Sequence, residues 1–147
     1  QDVYWVEEAI AYDDISGYAR LTSELKTPIQ IGENFYGPKD FSDAIAAKAC
    51  TYAMPDLERI GGITGWLCAA AIAKEEDVLI SSHLFPEASV HALAATKTAH
   101  WLEYTNWANP ILVDPLEIRN GYATIPNKPG IGLEWDNLAV SKYQVGL

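Results

Sequence analysis

The chain has 147 residues, of which 49% are hydrophobic and 20% are charged, a balance typical of one folded domain that excludes a disordered or fibrous protein. Its net charge is −10, and its ten lysine and arginine residues form no run. Nucleic acid is therefore excluded as a partner, because phosphate binding needs clustered basic side chains. An acidic chain can instead gather carboxylates around a divalent cation.

The predicted elements alternate between strands and helices. The five predicted strands are residues 3–7, 29–33, 52–56, 78–82 and a short fifth one at 101–104. The first predicted helix begins after Asp13 or Asp14 and carries Ile15, Tyr18, Leu21 and Leu25 at helical spacing. The second opens at Gly37-Pro38 and has Phe41, Ala44 and Ile45 on one face. Two more helices are predicted at residues 64–76, which are apolar nearly all round, and at residues 87–95. Strands separated by single helices predict a parallel α/β sheet with right-handed crossovers.

The character of the chain changes after Pro110. Pro, Gly and Asn are frequent in residues 113–132, and the alternation in residues 122–125 predicts a small antiparallel element. We therefore divide the chain into residues 1–110, which hold the five strands, and residues 111–147, a segment that returns over them.

Each of the five predicted strands ends at an acidic residue or a histidine. These residues are Glu7, Glu33, Asp56, His83 and Glu103, spaced 20 to 27 residues apart. Parallel strands of a barrel present their carboxyl ends on one face, so we expect these five side chains to meet there. The spacing is that of one strand, one helix and two loops, as in a repeating βα unit.

Two further features bear on the location of the protein. Cys50 and Cys68 form no CxxC pair, and we interpret both as buried thiols in a reducing compartment. The longest uncharged run, residues 60–73, is too short to span a bilayer, and no signal peptide is recognisable. We expect a cytoplasmic protein without a membrane partner.

Five motifs occur in order: YWVEE, GENFYGP, MPDLERIGGITGW, SSHLF and TAHWLE. Together they resemble the C-terminal half of the barrel domain in the mandelate racemase branch of the mandelate racemase/muconate lactonizing enzyme family, within the enolase superfamily. The resemblance implies the C-terminal portion of a modified TIM-type (β/α)7β barrel. It also implies the shared chemistry of that family, in which a proton next to a carboxylate is abstracted and Mg²⁺ stabilises the enediolate.

The resemblance implies a role for each strand-end residue. Glu7 and Glu33 would be two of three carboxylate ligands of Mg²⁺, and Glu8 would point away or support them. His83 would be the general base, with Asp56 holding its ring, and Glu103 would be the protonated acid that donates to the substrate carboxylate. The substrate would be a 2-hydroxy acid or an acid sugar.

The sequence also departs from the family pattern. Ala9 replaces the proline that usually follows the first motif, and the lysine motif, the third metal ligand and the capping domain are missing. A complete barrel needs about 250 residues, so we expect a fragment whose site is completed by a homo-oligomer or by pairing with the missing N-terminal half.

Two classes of function remain open. The first is the catalytic half of a Mg²⁺-dependent enzyme, either a mandelate racemase-like isomerase or an acid-sugar dehydratase. Arg59 favours this branch over relatives with a second lysine base near MPD, because arginine does not deprotonate. The second is a noncatalytic half-barrel fragment that lacks the lysine base and the third metal ligand. We interpret His91 and His100 as structural in both classes.

Overall fold

The computed structural model describes residues 2–146. Four strands form one sheet in chain order, with every pair of neighbours parallel: β1 (Val6–Glu7), β2 (Ile29–Ile31), β3 (Tyr52–Ala53) and β4 (Leu79–Ile80). One helix follows each strand: α1 (Ile15–Glu24), α2 (Gly37–Ala46), α3 (Gly62–Glu75) and α4 (Pro86–Ala94). The predicted class, parallel strands that alternate with helices, is confirmed.

Helices α1 and α2 begin where the sequence predicts, and α3 and α4 begin two residues and one residue earlier than predicted. Asp14 caps α1, and its Oδ1 accepts a hydrogen bond from the backbone N–H of Gly17 at 2.8 Å. Pro38 lies in the first turn of α2, where its missing N–H leaves no helical hydrogen bond unmade. Both signals are local, so the chain carries them without help from tertiary contacts.

The core lies between the sheet and the helices. Its largest fully buried side chains include Trp66, Tyr18, Phe41, Ile29, Ile31, Ile60 and Ile80. The Trp66 indole donates a hydrogen bond to Thr96 Oγ1 at 2.9 Å, so its polar atom is satisfied inside the core. Helix α3 is apolar nearly all round, and Ile63 and Leu67 on its outer side are each 47% exposed.

The strands are shorter than predicted because backbone features end them. Glu8 has a φ of 45° directly after β1, and Gly32 has a φ of 142° directly after β2. Pro55 follows β3 closely and lacks the N–H that would continue a ladder. Glu33, Asp56 and His83 therefore lie on loops just past the strands, where side chains are free of the alternation that a strand imposes, whereas Glu7 is the last residue of β1.

The structure assigns no strand to residues 101–104, where a fifth strand was predicted. The segment that pairs with β4 begins earlier: Ile80 N donates to Thr98 O at 2.8 Å, and His100 N donates to Ile80 O at 2.8 Å. Ser82 N then donates to Trp101 O at 2.9 Å, and a parallel bridge joins Ile80 to Ala99. The pairing is parallel, but it is too short to form a strand.

The C-terminal segment contains a hairpin and a helix. Strands β5 (Glu117–Arg119) and β6 (Tyr122–Thr124) are antiparallel, and Asn120 and Gly121 between them have positive φ angles of 52° and 80°, as a tight hairpin turn requires. The predicted antiparallel element is confirmed. Helix α5 (Asn137–Tyr143), capped by Asp136, was not predicted. Residues 1 and 147, the outer limits of the two predicted segments, lie outside the described part of the chain.

Aromatic side chains gather beside the sheet. Tyr4, Trp5, Tyr52 and Trp101 all lie with ring centroids 4.6 to 6.1 Å from the ring of His100. Tyr4 is 58% exposed and Trp101 is 51% exposed, so this surface has no cover within residues 2–146. No helix in the same range has the length and apolar character needed to cross a bilayer.

The two cysteines differ in exposure. Cys50 is buried, as predicted, whereas Cys68 is exposed on the outer side of α3, so the prediction that both are buried is wrong for Cys68. Burial raises the pKa of the Cys50 thiol to about 12. Cys50 therefore holds almost no thiolate at neutral pH.

We expect a thiol-specific reagent to modify Cys68 in the folded protein and Cys50 only after denaturant is added. The reason is that the thiolate is the reactive form and must also be reachable. A labelling time course with mass spectrometry measures both rates. Cys68→Ser should abolish the fast reaction and Cys50→Ala should leave it unchanged; fast labelling of both thiols under native conditions would contradict the packing.

Candidate active site

The loops that follow the four parallel strands meet at one edge of the sheet. The clearest contact is between the loops after β3 and β4, where Asp56 and His83 form an isolated parallel bridge. The side chains of these two residues are also in hydrogen-bond contact. The predicted convergence of strand-end residues is therefore visible in the geometry of the loops.

Asp56 and His83 form the central pair of the site. Asp56 is 3% exposed, and its Oδ2 lies 2.8 Å from His83 Nδ1. Its other oxygen accepts hydrogen bonds from the backbone N–H groups of Glu58 at 2.8 Å and Arg59 at 2.9 Å. A carboxylate held this way only accepts, so Nδ1 of the ring must donate to it. The second ring nitrogen, Nε2, is then left with a lone pair that can take up a proton.

Glu33 lies beside this free nitrogen. Its Oε2 is 3.5 Å from His83 Nε2, and its Oε1 is 3.7 Å from a guanidinium nitrogen of Arg59. The same nitrogen of Arg59 donates to the backbone carbonyl of Glu33 and to Asn34 Oδ1, each at 2.9 Å. Arg59 thus holds the loop after β2 against the loop after β3.

Gly32 allows this approach. A Cβ atom at position 32 would lie 3.0 Å from the backbone of Met54, and the φ of 142° is one that residues with side chains rarely adopt. The backbone of β2 can therefore turn past β3 immediately before Glu33. This turn aims the Glu33 carboxylate at His83.

Glu103 lies next to the same histidine loop. Its Oε2 accepts a hydrogen bond of 2.6 Å from the backbone N–H of Leu84, the residue that follows His83. Its own N–H donates to Ser82 Oγ at 3.1 Å. Leu84 and Phe85 have positive φ angles of 51° and 45°, a strained pair that turns the Leu84 N–H toward Glu103. The other oxygen, Oε1, remains available to carry a proton.

The two glutamates at the end of β1 point to different places. Glu7 is exposed, and its Oε2 accepts from Gln30 Nε2 at 2.8 Å and from Trp5 Nε1 at 3.2 Å. Glu8 turns toward β2, where its Oε1 accepts from the backbone N–H of Gly32 at 3.2 Å. Burial raises the pKa of the Glu8 carboxyl, and the negative charges of Glu33 and Glu7 raise it further, while the Gly32 hydrogen bond opposes them.

The structure thus joins three of the five predicted site residues, Glu33, Asp56 and His83, in one chain of contacts. Glu103 is linked to this group through its hydrogen bond with the backbone N–H of Leu84, the residue after His83. Glu7 lies at the same edge of the sheet, but its carboxylate is hydrogen-bonded to Gln30. Within residues 2–146, no group of three or more His, Cys, Asp or Glu side chains is arranged to hold a metal ion.

Two residues of the site lay outside the sequence prediction. The sequence predicts no site role for Arg59 or Gln30. The signal for Gln30 was available, because a polar residue stands between Ile29 and Ile31 in a strand that is buried throughout. Such a residue must find hydrogen-bond partners inside the protein.

Comparison with known proteins identifies similar sequences and structures. The family profile described as "Enolase C-terminal domain-like" matches residues 1–139. A 3,6-anhydro-alpha-L-galactonate cycloisomerase of Streptomyces coelicolor is 32% identical over 146 residues, which is 99% of this chain and 40% of that protein.

Two solved structures show the same arrangement of the chain. An enolase from Bradyrhizobium complexed with magnesium and mandelic acid is 45% identical, with a TM-score of 0.93, over 99% of this chain and 40% of that one. An L-talarate dehydratase from Polaromonas sp. JS666 complexed with Mg and L-glucarate is 33% identical, with a TM-score of 0.87, over 95% of this chain and 37% of that one. This chain therefore spans about two fifths of these proteins.

We expect Glu8→Gln to stabilise the protein at neutral pH, by an amount that shrinks as the pH falls. The pKa of Glu8 in the folded state is raised above its ordinary value of 4.5. At pH values between 4.5 and the raised pKa, Glu8 is therefore protonated in a larger fraction of folded molecules than of unfolded molecules. Stability is therefore lost as the pH rises through this window. A neutral glutamine removes that loss and can still accept from Gly32.

Urea unfolding of the parent and the variant at several pH values measures this difference. The gain in unfolding free energy should be larger at neutral pH than below pH 4.5, the ordinary value of the group. A gain that does not change with pH would show that the Glu8 carboxylate is not disfavoured in the folded protein.

Proposed function

This chain belongs to the enolase C-terminal domain-like family, and from that premise we propose that it forms the C-terminal part of the active site of a Mg²⁺-dependent enzyme. The predicted resemblance to the mandelate racemase/muconate lactonizing enzyme family and the predicted fold, the C-terminal portion of a superfamily barrel, are both confirmed. The proposed reaction begins with abstraction of the proton next to a substrate carboxylate.

One observation carries this proposal: His83 is held by Asp56 at 2.8 Å and presents its other nitrogen 3.5 Å from the Glu33 carboxylate. A proton acceptor and a carboxylate that could bind a cation thus lie side by side. A proton next to a carboxylate is very weakly acidic, so its removal needs both a positioned base and positive charge near the carboxylate oxygens.

The donor set fits a hard divalent cation. Glu7 and Glu33 supply carboxylate oxygens, which are the ligands that Mg²⁺ prefers. Burial is the main cause of the raised pKa of Glu8, and the negative charges of Glu33 and Glu7 add to it, so three carboxylates lie near one another at this edge. Glu7 and Glu33 would hold the ion, which would stabilise the negative charge that develops on the substrate carboxylate. A third carboxylate would come from outside this chain.

His83 Nε2 would take the proton from the carbon next to the substrate carboxylate. As that C–H bond breaks, its electrons move onto the carboxylate to give an enediolate. Asp56 would keep the ring oriented and stabilise the imidazolium that forms, as the carboxylate of a catalytic triad does. Glu103, with its proton on Oε1, would donate to a substrate carboxylate oxygen while the Leu84 N–H holds its Oε2.

The proposed substrate is a 2-hydroxy acid or an acid sugar. Support comes from the relatives, among them an enolase complexed with mandelic acid and a dehydratase complexed with L-glucarate. A racemase would return the proton to the opposite face and so needs a second base, whereas a dehydratase would expel a β-hydroxyl from the enediolate. A second base and a third carboxylate would both be supplied from outside this chain.

A partner would therefore complete the site. We propose either a homo-oligomer or pairing with a segment that corresponds to the N-terminal part of the relatives, and the exposed aromatic surface around His100 supports this requirement. The noncatalytic half-barrel is the second candidate, and it is favoured by the lack of a three-ligand metal cluster within residues 2–146. The unpaired cysteines support a reducing, cytoplasmic location.

The solution mass by light scattering, followed by Mg²⁺ titration calorimetry on the same sample, tests the proposal. We expect an assembly larger than one chain that binds Mg²⁺, and we expect Glu33→Gln to weaken this binding by about tenfold or more, because it removes a charged ligand. Glu24→Gln, on the exposed end of α1, is the matched control and should bind as the parent does. A monomer that binds no Mg²⁺ would instead support the noncatalytic half-barrel.

A further inference from the structure

A chain of side-chain hydrogen bonds runs through the sheet to Glu7. Tyr4 Oη lies 3.2 Å from His100 Nε2, and His100 Nδ1 lies 3.5 Å from Ser81 Oγ. Ser81 Oγ in turn lies 3.1 Å from Gln30 Oε1, and Gln30 Nε2 lies 2.8 Å from Glu7 Oε2. Tyr4 and Glu7 lie three residues apart, and the other three residues come from three distant parts of the sequence, so only the fold brings the whole set together.

The direction of each bond follows from the one next to it. The Glu7 carboxylate can only accept, so the Gln30 amide nitrogen must donate to it. This orientation leaves the Gln30 carbonyl facing Ser81, whose single hydroxyl hydrogen must then be donated to Gln30. At His100, Ser81 can therefore only accept.

These hydrogen-bond directions also determine which ring nitrogen of His100 carries the proton. Nδ1 of His100 must carry a proton in order to donate to Ser81, and Nε2 is left to accept from the Tyr4 hydroxyl. Burial lowers the pKa of His100, which supports a neutral ring with one proton. All four bonds then point the same way, from Tyr4 to the carboxylate of Glu7, and hydrogen bonds aligned in series strengthen one another.

The middle of this chain is buried and has no alternative partners in water. Gln30 is 1% exposed and Ser81 is 2% exposed. The second hydrogen of the Gln30 amide goes to Met54 Sδ at 3.3 Å, so both of its hydrogens are used. Turning the amide over would place its oxygen against the Glu7 carboxylate, so that two acceptors would face each other without a hydrogen between them, which a buried site penalises.

A cavity of about 240 Å³ lies at the Glu7 end of the chain and is lined by Glu7, Gln30, Ser81 and Glu103 among others. Gln30 therefore donates its hydrogen bond to a carboxylate that lines this cavity, and Glu103, the proposed acid, lines the same cavity. Held by a buried amide, Glu7 keeps one oxygen fixed and offers the other to the cavity.

We propose that these side chains form a hydrogen-bond relay, Tyr4 to His100 to Ser81 to Gln30, that positions the carboxylate of Glu7 for cation binding, and that Gln30 is its key positioning residue. The role of Glu7 as a ligand rests on the proposed function. The relay itself depends only on the contacts of this chain, and it requires His100 to be the Nδ1–H tautomer.

Nitrogen-15 NMR of the histidine rings tests the relay without any metal. The sequence has three histidines, and His100→Gln assigns the signal of interest by removing it. We expect the Nδ1–H tautomer for His100 in the parent protein, although Nε2–H predominates for histidine free in water. In Ser81→Ala the acceptor for Nδ1 is lost, so we expect His100 to shift toward Nε2–H. An Nε2–H tautomer in the parent would overturn the relay.

Calorimetric Mg²⁺ titration of the assembled protein tests whether Gln30 positions the Glu7 carboxylate for cation binding. Gln30→Met keeps the length of the side chain but removes the donor, so we expect Mg²⁺ affinity to fall by about tenfold or more. Ser81→Ala, which deletes one hydroxyl, should lower the affinity by less and serves as a second variant if Gln30→Met does not fold. Gln144→Met, at an exposed position near the C-terminus, is the matched control and should bind as the parent does.

The outcomes separate the two proposals. If Glu33→Gln loses Mg²⁺ affinity while Gln30→Met and Ser81→Ala keep it, the proposed function stands and the positioning role of Gln30 is wrong. If the parent binds no Mg²⁺, the proposed function fails, and the action on a cation site fails with it. The His100 tautomer decides in either case whether the relay exists.

Discussion

The parallel register of β1 to β4 is the constraint on which the site depends. Glu7 pairs with Gln30, Gln30 pairs with Tyr52, and Tyr52 pairs with Leu79, so the four strands end at nearly the same level. Each strand is then interrupted by a local feature of the backbone within a few residues. The loops that follow emerge together, and the side chains that they carry meet across the edge of the sheet.

The hydrogen bond between Asp56 and His83 serves both stability and chemistry. A buried carboxylate must be hydrogen-bonded, because a buried charged group that is left without a partner costs more than the ~1–3 kcal/mol of a neutral one. Asp56 meets this need with two backbone N–H groups from its own loop and with the His83 ring from the next one. The same bond fixes which ring nitrogen is free, so the loop contact that stabilises the edge of the sheet also prepares the proposed base.

Much of this arrangement could be predicted because it depends on local signals. Asp14 and Pro38 start helices by capping, Asn120-Gly121 makes a hairpin by its turn geometry, and the spacing of strand-end residues follows from the βα period. The features that could not be predicted depend on distant contacts. The pairing of residues 98–101 with β4, the exposure of Cys68, and helix α5 are set by what packs against each segment, which periodicity does not report.

The site likewise combines features that local sequence signals predict with features that depend on distant contacts. The sequence predicts that Asp56 and His83 meet, since both follow neighbouring strands, and the structure joins them. It does not predict that Glu8 turns toward Gly32, because that turn depends on a left-handed residue with no glycine to mark it. Nor does it predict that Gln30 reaches Glu7 and Ser81 at once, which requires the register of three separate parts of the chain.

The central claim is that His83, held by Asp56, removes a proton next to a carboxylate. The most direct measurement is the exchange of that proton for deuterium, followed by proton NMR, when the assembled protein is incubated in D₂O with Mg²⁺ and a 2-hydroxy acid such as mandelate or an acid sugar such as glucarate. The account predicts exchange that falls by about 10²–10⁴-fold in His83→Asn and by less in Asp56→Asn, which keeps the shape of the pair. Exchange that persists unchanged in His83→Asn would contradict it.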